Sequence, residues 1–213
     1  MKSFGLKFLV VLVILISAVG AKGVKIFDLK EQYFSETLPK EGKKDFDEFK
    51  YDLKNVIVTT DARNVDGSYL LGVFTVDIKE PLKNWNVNIK KSNGIYNAKA
   101  MSAIRLTSDS GESYYITFVK GTNQSPAGTT FSNKKLWDYI QINDKKFNIC
   151  CITGDKFSIT VSTKNGKTLF IINGKRFLKA DSKNFGNLAK IEIELNKDKY
   201  ADALYALDIY KVE

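Results

Sequence analysis

The chain has 213 residues and a formal charge of +9, with 33 Lys and Arg against 24 Asp and Glu, two Cys and no His. Without His there is no Ser-His-Asp triad, no Cys-His pair and no His-based zinc site. Neither G-x-x-x-x-G-K-S/T nor G-x-G-x-x-G occurs, which removes the common nucleotide-binding loops as well.

Lys2 and Lys7 lead into an apolar run, Phe8 to Ile16, and then into the small residues Ser17 to Ala21. A positive start, a short apolar stretch and a small-residue site read as a secretory signal peptide over residues 1–21, cut after Gly20 or Ala21, with an uncleaved anchor as the alternative. The run is short for a membrane span, and no later segment approaches one. Loss of Lys2 and Lys7 lowers the charge to +7. About 190 residues then remain, enough for one large domain. The expected location is extracellular.

Residues 22–66 read as an N-terminal arm or as additional strands, because Pro39 and Gly42 break any helix there. "KNVIVTT" (Lys54 to Thr60) is β-branched. "SYLLGVFTVDI" (Ser68 to Ile78) is a strand in which Gly72 marks a candidate bulge and which Pro81 should stop. "WNVNIK" sends Trp85, Val87 and Ile89 to one face and Asn86, Asn88 and Lys90 to the other. "SAIRLTSD" and "SYYITFVK" flank a Ser110-Gly111-Glu112 turn, and "GTNQSPAGTT" (Gly121 to Thr130) is the longest loop. "YIQI" and "FNICCI" surround Asn143-Asp144.

From Phe157, two Asn-Gly pairs, Asn165-Gly166 and Asn173-Gly174, divide three apolar runs. Asn-Gly suits the two positive φ angles of a type I′ turn, so a three-stranded meander is expected. "KIEIEL" and "ALYALDIYKV" supply closing strands. Roughly ten or more strands at spacings near 8–12 residues, with no strong amphipathic helix, give an all-β antiparallel sandwich or barrel.

The sequence from Gly154 and Phe157 through Ile172-Asn173-Gly174, Phe177 and Leu188-x-x-Ile191-x-Ile193 resembles the C-terminal half of galectins. Looser similarity reaches back to about residue 70. The resemblance implies a galectin- or concanavalin-like jelly-roll β-sandwich over residues 67–213, and sugar binding on one sheet. Galectins read galactose with His-x-Asn-x-Arg, an Asn, and Trp-x-x-Glu-x-Arg. Here the first strand reads "ITFVKGTN", and Trp137 is followed by Ile140 and Ile142 where Glu and Arg stand in the family. The missing polar groups count against ordinary β-galactoside binding. The resemblance leaves Trp137 as a stacking platform and Asn133 as its amide partner. Lys120 and Asn123 are further hydrogen-bonding candidates at the edge of the loop. A core Trp and a solvated loop are the alternatives.

Asn123-Gln124-Ser125 is also a glycosylation sequon, followed by Pro126. Cys150 and Cys151 read as one buried and one exposed thiol, with a vicinal or an intermolecular disulfide as alternatives. Glu192 and Glu194 are two apart and read as the polar side of an alternating strand rather than a catalytic pair. The doublets Lys43-Lys44, Lys90-Lys91, Lys134-Lys135 and Lys145-Lys146 flank turns and read as solvated charge, with attraction to anionic or sulfated glycans as the second reading. No metal, cofactor or nucleic-acid partner is implied. The expectation is a secreted, non-enzymatic, lectin-like protein that binds glycans or glycoproteins through a diverged site. The alternative is a secreted protein-binding or structural sandwich that has lost sugar binding.

Overall fold

A computed structural model describes residues 23–29, 33–34, 50–65, 69–92, 103–119, 139–148, 156–181, 184–197 and 203–213. The described strands, in chain order, are β1 (Gly23–Asp28), β2 (Tyr33–Phe34), β3 (Lys50–Asp52), β4 (Val56–Val65), β5 (Tyr69–Leu82), β6 (Trp85–Ser92), β7 (Ala103–Ser108) and β8 (Ser113–Val119). They continue with β9 (Tyr139–Ile142), β10 (Lys145–Asn148), β11 (Lys156–Lys164), β12 (Lys167–Ile172), β13 (Lys175–Asp181), β14 (Leu188–Lys197) and β15 (Ala203–Val212).

The strands form two antiparallel sheets. One has the order β1-β15-β6-β11-β12-β13, with β2 also paired to β15. The other, eight-stranded, runs β10-β9-β8-β7-β14-β5-β4-β3. A single buried cluster draws on both sheets, so the all-β sandwich is what this chain forms. Residues 23–28 and 56–65 are strands of these sheets. The chain crosses repeatedly from one sheet to the other. The late strand β14 inserts between β5 and β7, and the early strand β6 between β15 and β11.

Alternation explains the core. Trp85, Val87 and Ile89 of β6 are fully buried, as are Ile159 and Val161 of β11 and Ile191 and Ile193 of β14. Each such side chain contributes about 1.5–3 kcal/mol through removal of apolar surface from water. Tyr114 stacks on Phe185 at 4.3 Å between centroids and meets Phe170 edge-on at 5.2 Å. Its hydroxyl donates to Thr168 Oγ1 at 3.2 Å, and Thr168 bonds Thr163 at 2.7 Å. This buried polar chain ties the eight-stranded sheet to the meander of the other.

The meander β11-β12-β13 follows the expected turns. Asn165 and Gly166 have φ 52° and 70°, and Asn173 and Gly174 have φ 48° and 76°. Asn173 does more than turn the chain. Its N–H donates to Ser158 O at 2.7 Å while its Oδ1 accepts from Ser158 N at 2.8 Å. Asn143, at φ 50°, does the same to Tyr115, with both bonds at 2.8 Å. In each case a side-chain amide oxygen replaces a backbone carbonyl and adds one rung to a ladder.

Three local expectations change. Gly72 is no bulge: it sits in an unbroken register opposite Ala62 and Leu195. Pro81 does not stop β5, which continues to Leu82. The β4 ladder has already ended at the Val56–Ile78 pair, and the β14 register shifts between Leu188 and Lys190, so the missing N–H removes no rung. Lys91 is not a solvated lysine. It continues the inward stripe of β6, is 0% exposed, and its Nζ donates to Glu194 O across the sandwich at 3.1 Å.

One end of the sandwich is closed by residues 184–187. Phe185 is buried between Tyr114 and Trp85, and Gly186 (φ 74°) lets the chain turn over Asp109. A Cβ on Gly186 would lie 2.7 Å from Asp109 Oδ1. Asp109 accepts from Asn187 N at 2.9 Å and from Asn187 Nδ2 at 2.8 Å, and its own N–H donates to Asn187 O at 2.9 Å. The backbone and then the side-chain bond from Asn187 hold the Asp109 carboxyl below its ordinary value of 3.8.

Two outcomes follow from these observations. Asn173→Gly keeps the positive φ but loses the side-chain rung, and should cost about 1 kcal/mol in urea unfolding. Asn173→Ala loses the rung and adds left-handed strain, for a total of about 2 kcal/mol. Because the folded Asp109 pKa is depressed, its contribution to stability is present above the unfolded carboxyl value, about 3.9, and is lost as pH falls through the lower folded value. The Asp109 carboxyl resonance should therefore titrate with a midpoint below 3.8, with the Asn187 amide moving in step; a midpoint at or above that value would contradict the clamp.

Candidate functional site

In the eight-stranded sheet, alternation that buries one side of each strand leaves the other side outward. Val56, Val58, Phe74, Val76, Ile104, Leu106, Ile116, Ile140, Ile191 and Ile193 belong to the core. Their chain neighbours therefore form the opposite face. Strand register then fixes which of these stand side by side. One row runs Thr59–Thr75–Glu192–Arg105–Tyr115 across five strands. The next rung carries Asp61–Val73–Glu194 and Ala103–Thr117–Gln141.

The short side chains of this face, Val73, Thr75, Ala103 and Thr117, are buried. The groups that reach outward are the longer ones around them. Arg105 is exposed and sets its guanidinium over the Tyr115 ring, 5.2 Å from the centroid. The neighbouring Glu192 has a side chain only 12% exposed, with Oε1 3.9 Å from Lys190 Nζ. The same Lys190 lies 4.0 Å from Asp77 Oδ1. Gln141 donates from Nε2 to Asn143 O at 2.7 Å, and Asn143 in turn holds Tyr115. The face thus offers an aromatic ring, a guanidinium, an amide, hydroxyls and carboxylates on rigid strands. Such groups hydrogen-bond hydroxyls and stack on apolar ring faces.

Glu192 and Glu194 project to the same side from one strand, as expected. Among the described residues no three acidic or thiol side chains gather to hold a metal ion.

The sequence-derived candidates Lys120, Asn123, Asn133 and Trp137 lie outside the described residues, as do Cys150 and Cys151. The flanking strands are described. Val119, the last residue of β8, is the register partner of Tyr139, the first residue of β9. The connection carrying all four candidates therefore leaves and re-enters the sheet at adjacent positions. Arg105, Tyr115 and Gln141 were not singled out from sequence. Their alternation was visible, but the register that assembles them was not.

No family model matches the chain, and no curated protein is significantly similar to it. Several solved structures are similar at low identity. The lumenal domain of VIP36, bound to calcium and Man3GlcNAc, is 10% identical over 76% of this chain and 83% of its own, with a TM-score of 0.41. A tetrameric galectin from the ball sponge Cinachyrella is 13% identical over 65% of this chain and 99% of its own, at 0.43. A protein from work on endo-acting O-glycanases of the human gut microbiota is 11% identical over 91% and 97%, at 0.48. At these scores the likeness assigns neither ligand nor activity; the sandwich itself rests on the two sheets and their shared core.

Arg105 is exposed and Tyr115 half-buried, outside the core cluster, so the pair should be separable from folding. Arg105→Ala or Tyr115→Ala should lower unfolding stability by no more than about 1 kcal/mol, the range of an exposed cation–π pair, when measured by urea denaturation.

Proposed function

We propose that the protein is secreted and binds glycans or glycoproteins without chemically changing them. Binding would centre on the corner of the eight-stranded sheet where the 120–138 connection begins and ends. The observation that carries this reading is the pairing of Val119 with Tyr139. Trp137, Asn133, Lys120 and Asn123 all belong to the connection between Val119 and Tyr139, the pair that follows Thr117–Gln141 on the same side of β8 and β9. In this reading Trp137 stacks on a sugar face, and Asn133, Lys120 and Asn123 hydrogen-bond its hydroxyls. Gln141 and Arg105 extend the polar surface along the sheet.

On this face Asp61, Glu192 and Glu194 stand beside Arg105 and Lys190, so charge alone selects neither neutral nor sulfated glycans. The binding role is preferred to a catalytic one because Glu192 and Glu194 read as the polar side of an alternating strand whose other side, Ile191, Ile193 and Leu195, is core.

A glycan array compares the wild type with Trp137→Ala and Tyr115→Ala. Expected are binding by the wild type and at least about tenfold loss in Trp137→Ala, equivalent to about 1.4 kcal/mol. An intact, folded wild type that binds no glycan overturns the reading and leaves a protein-binding sandwich. Secretion has its own test. Mass analysis of protein recovered from the medium should find a chain starting at Ala21 or Lys22, and will show whether Asn123 carries a glycan.

A further inference from the structure

We propose that the opposite end of the sandwich carries a second, separate binding site, for a neutral polyhydroxylated ligand about one sugar ring in size. β8 starts at Ser113, near the 184–187 loop, and ends at Val119, so this site and the 120–138 corner lie at opposite ends of the strands. The site is a cleft of 530 Å³ between the β5–β6 turn, the β11–β12 turn and the 184–187 loop. That volume falls within the roughly 300–1,000 Å³ of small-molecule sites.

Amides from three separate segments line it: Asn84, Asn165 and Asn187, with Lys83 at the rim and Thr163 beneath. Their hydrogen bonds within the protein are few. Asn84 Oδ1 accepts from Asn165 N at 3.4 Å, Asn187 Nδ2 is held by Asp109, and Thr163 is bonded to Thr168. Among the described residues, Asn84 Nδ2, the Asn165 side-chain amide, Asn187 Oδ1 and Lys83 Nζ have no protein partner. The cleft therefore presents donors and acceptors together, on fixed backbone. Vicinal hydroxyls, each both donor and acceptor, are the complement of such a set.

The walls are already organised. Asp109 grips Asn187 by two bonds, and Ser110 Oγ donates to Phe185 O at 3.3 Å. Phe185 is buried on the aromatic cluster, and Asn165 is fixed by its turn. A ligand would meet side chains mounted on a backbone whose ordering cost was met in folding. Charge favours neither an anion nor a cation. Lys83 is the one cation of the lining, and the Asp109 carboxylate stands directly behind Gly186.

The test is a 15N-1H NMR titration of the mature chain with glucose, galactose, mannose and N-acetylglucosamine. Sodium sulfate and sodium acetate serve as anion probes. The expected result is saturable shifts of the Asn84, Asn165, Gly166, Gly186 and Asn187 amides with at least one sugar. Asn84→Ala and Asn165→Gly, the latter compatible with the positive φ, should each weaken the response about tenfold. Tyr115→Ala and Trp137→Ala should leave it unchanged, which separates this cleft from the site proposed above. The inference is overturned if no sugar moves these amides, if the Asn variants with native-like spectra respond as wild type does, or if the anions alone bind.

Discussion

The eight-stranded sheet depends on one strand that arrives late. β14 supplies all the pairing between β5 on one side and β7 on the other; without it the sheet is two separate pieces, β3-β4-β5 and β7-β8-β9-β10. The same strand holds Ile191, Ile193 and Leu195 in the core and receives Lys91 at the carbonyl of Glu194. Its partners lie about a hundred residues earlier in the chain. Closing such loops costs entropy before any contact repays it, so folding should be slow for a domain of this size. Both halves of the candidate face meet at β14, and the Glu192–Arg105 adjacency exists only once it is in place.

Polar side chains finish what the backbone ladders begin. Asn143 and Asn173 add rungs, the Tyr114–Thr168–Thr163 chain links the sheets, and Asp109 fastens the closing loop. These devices sit at strand ends and turns, where backbone groups would otherwise lack partners. They also leave the outward side chains standing on rigid supports, which is what ligand recognition needs.

Much of this was legible in the sequence. Asn165-Gly166 and Asn173-Gly174 announced their turns because few other pairs tolerate two positive φ angles. Trp85, Val87 and Ile89 announced a core strand through a period of two. Lys91 was not legible: after Lys90 the pattern suggests a solvated pair, and only the facing carbonyl of Glu194 explains an inward ammonium. Pro81 misled because a proline's meaning depends on whether a neighbour needs its missing N–H. For the site, alternation identified the outward residues strand by strand. Which of them are neighbours is a matter of register between distant segments, and a single chain of letters does not carry that.

The ends of the two strand orders give the scattered positive charge a purpose. Among the described strands, β1 and β13 end one strand order, with the two-residue β2 beside β1 on β15, and β3 and β10 end the other; β1, β13, β3 and β10 each carry lysine: Lys25, Lys175 and Lys179, Lys50, Lys145 and Lys146. β3 and β10 are also short, at three and four residues. An edge of unpaired N–H and C=O groups invites another molecule to add its own strand, and short, charged edges resist that. The lysines of the edge strands, and the shortness of β3 and β10, thus weigh against end-to-end joining of sheets built of long ladders.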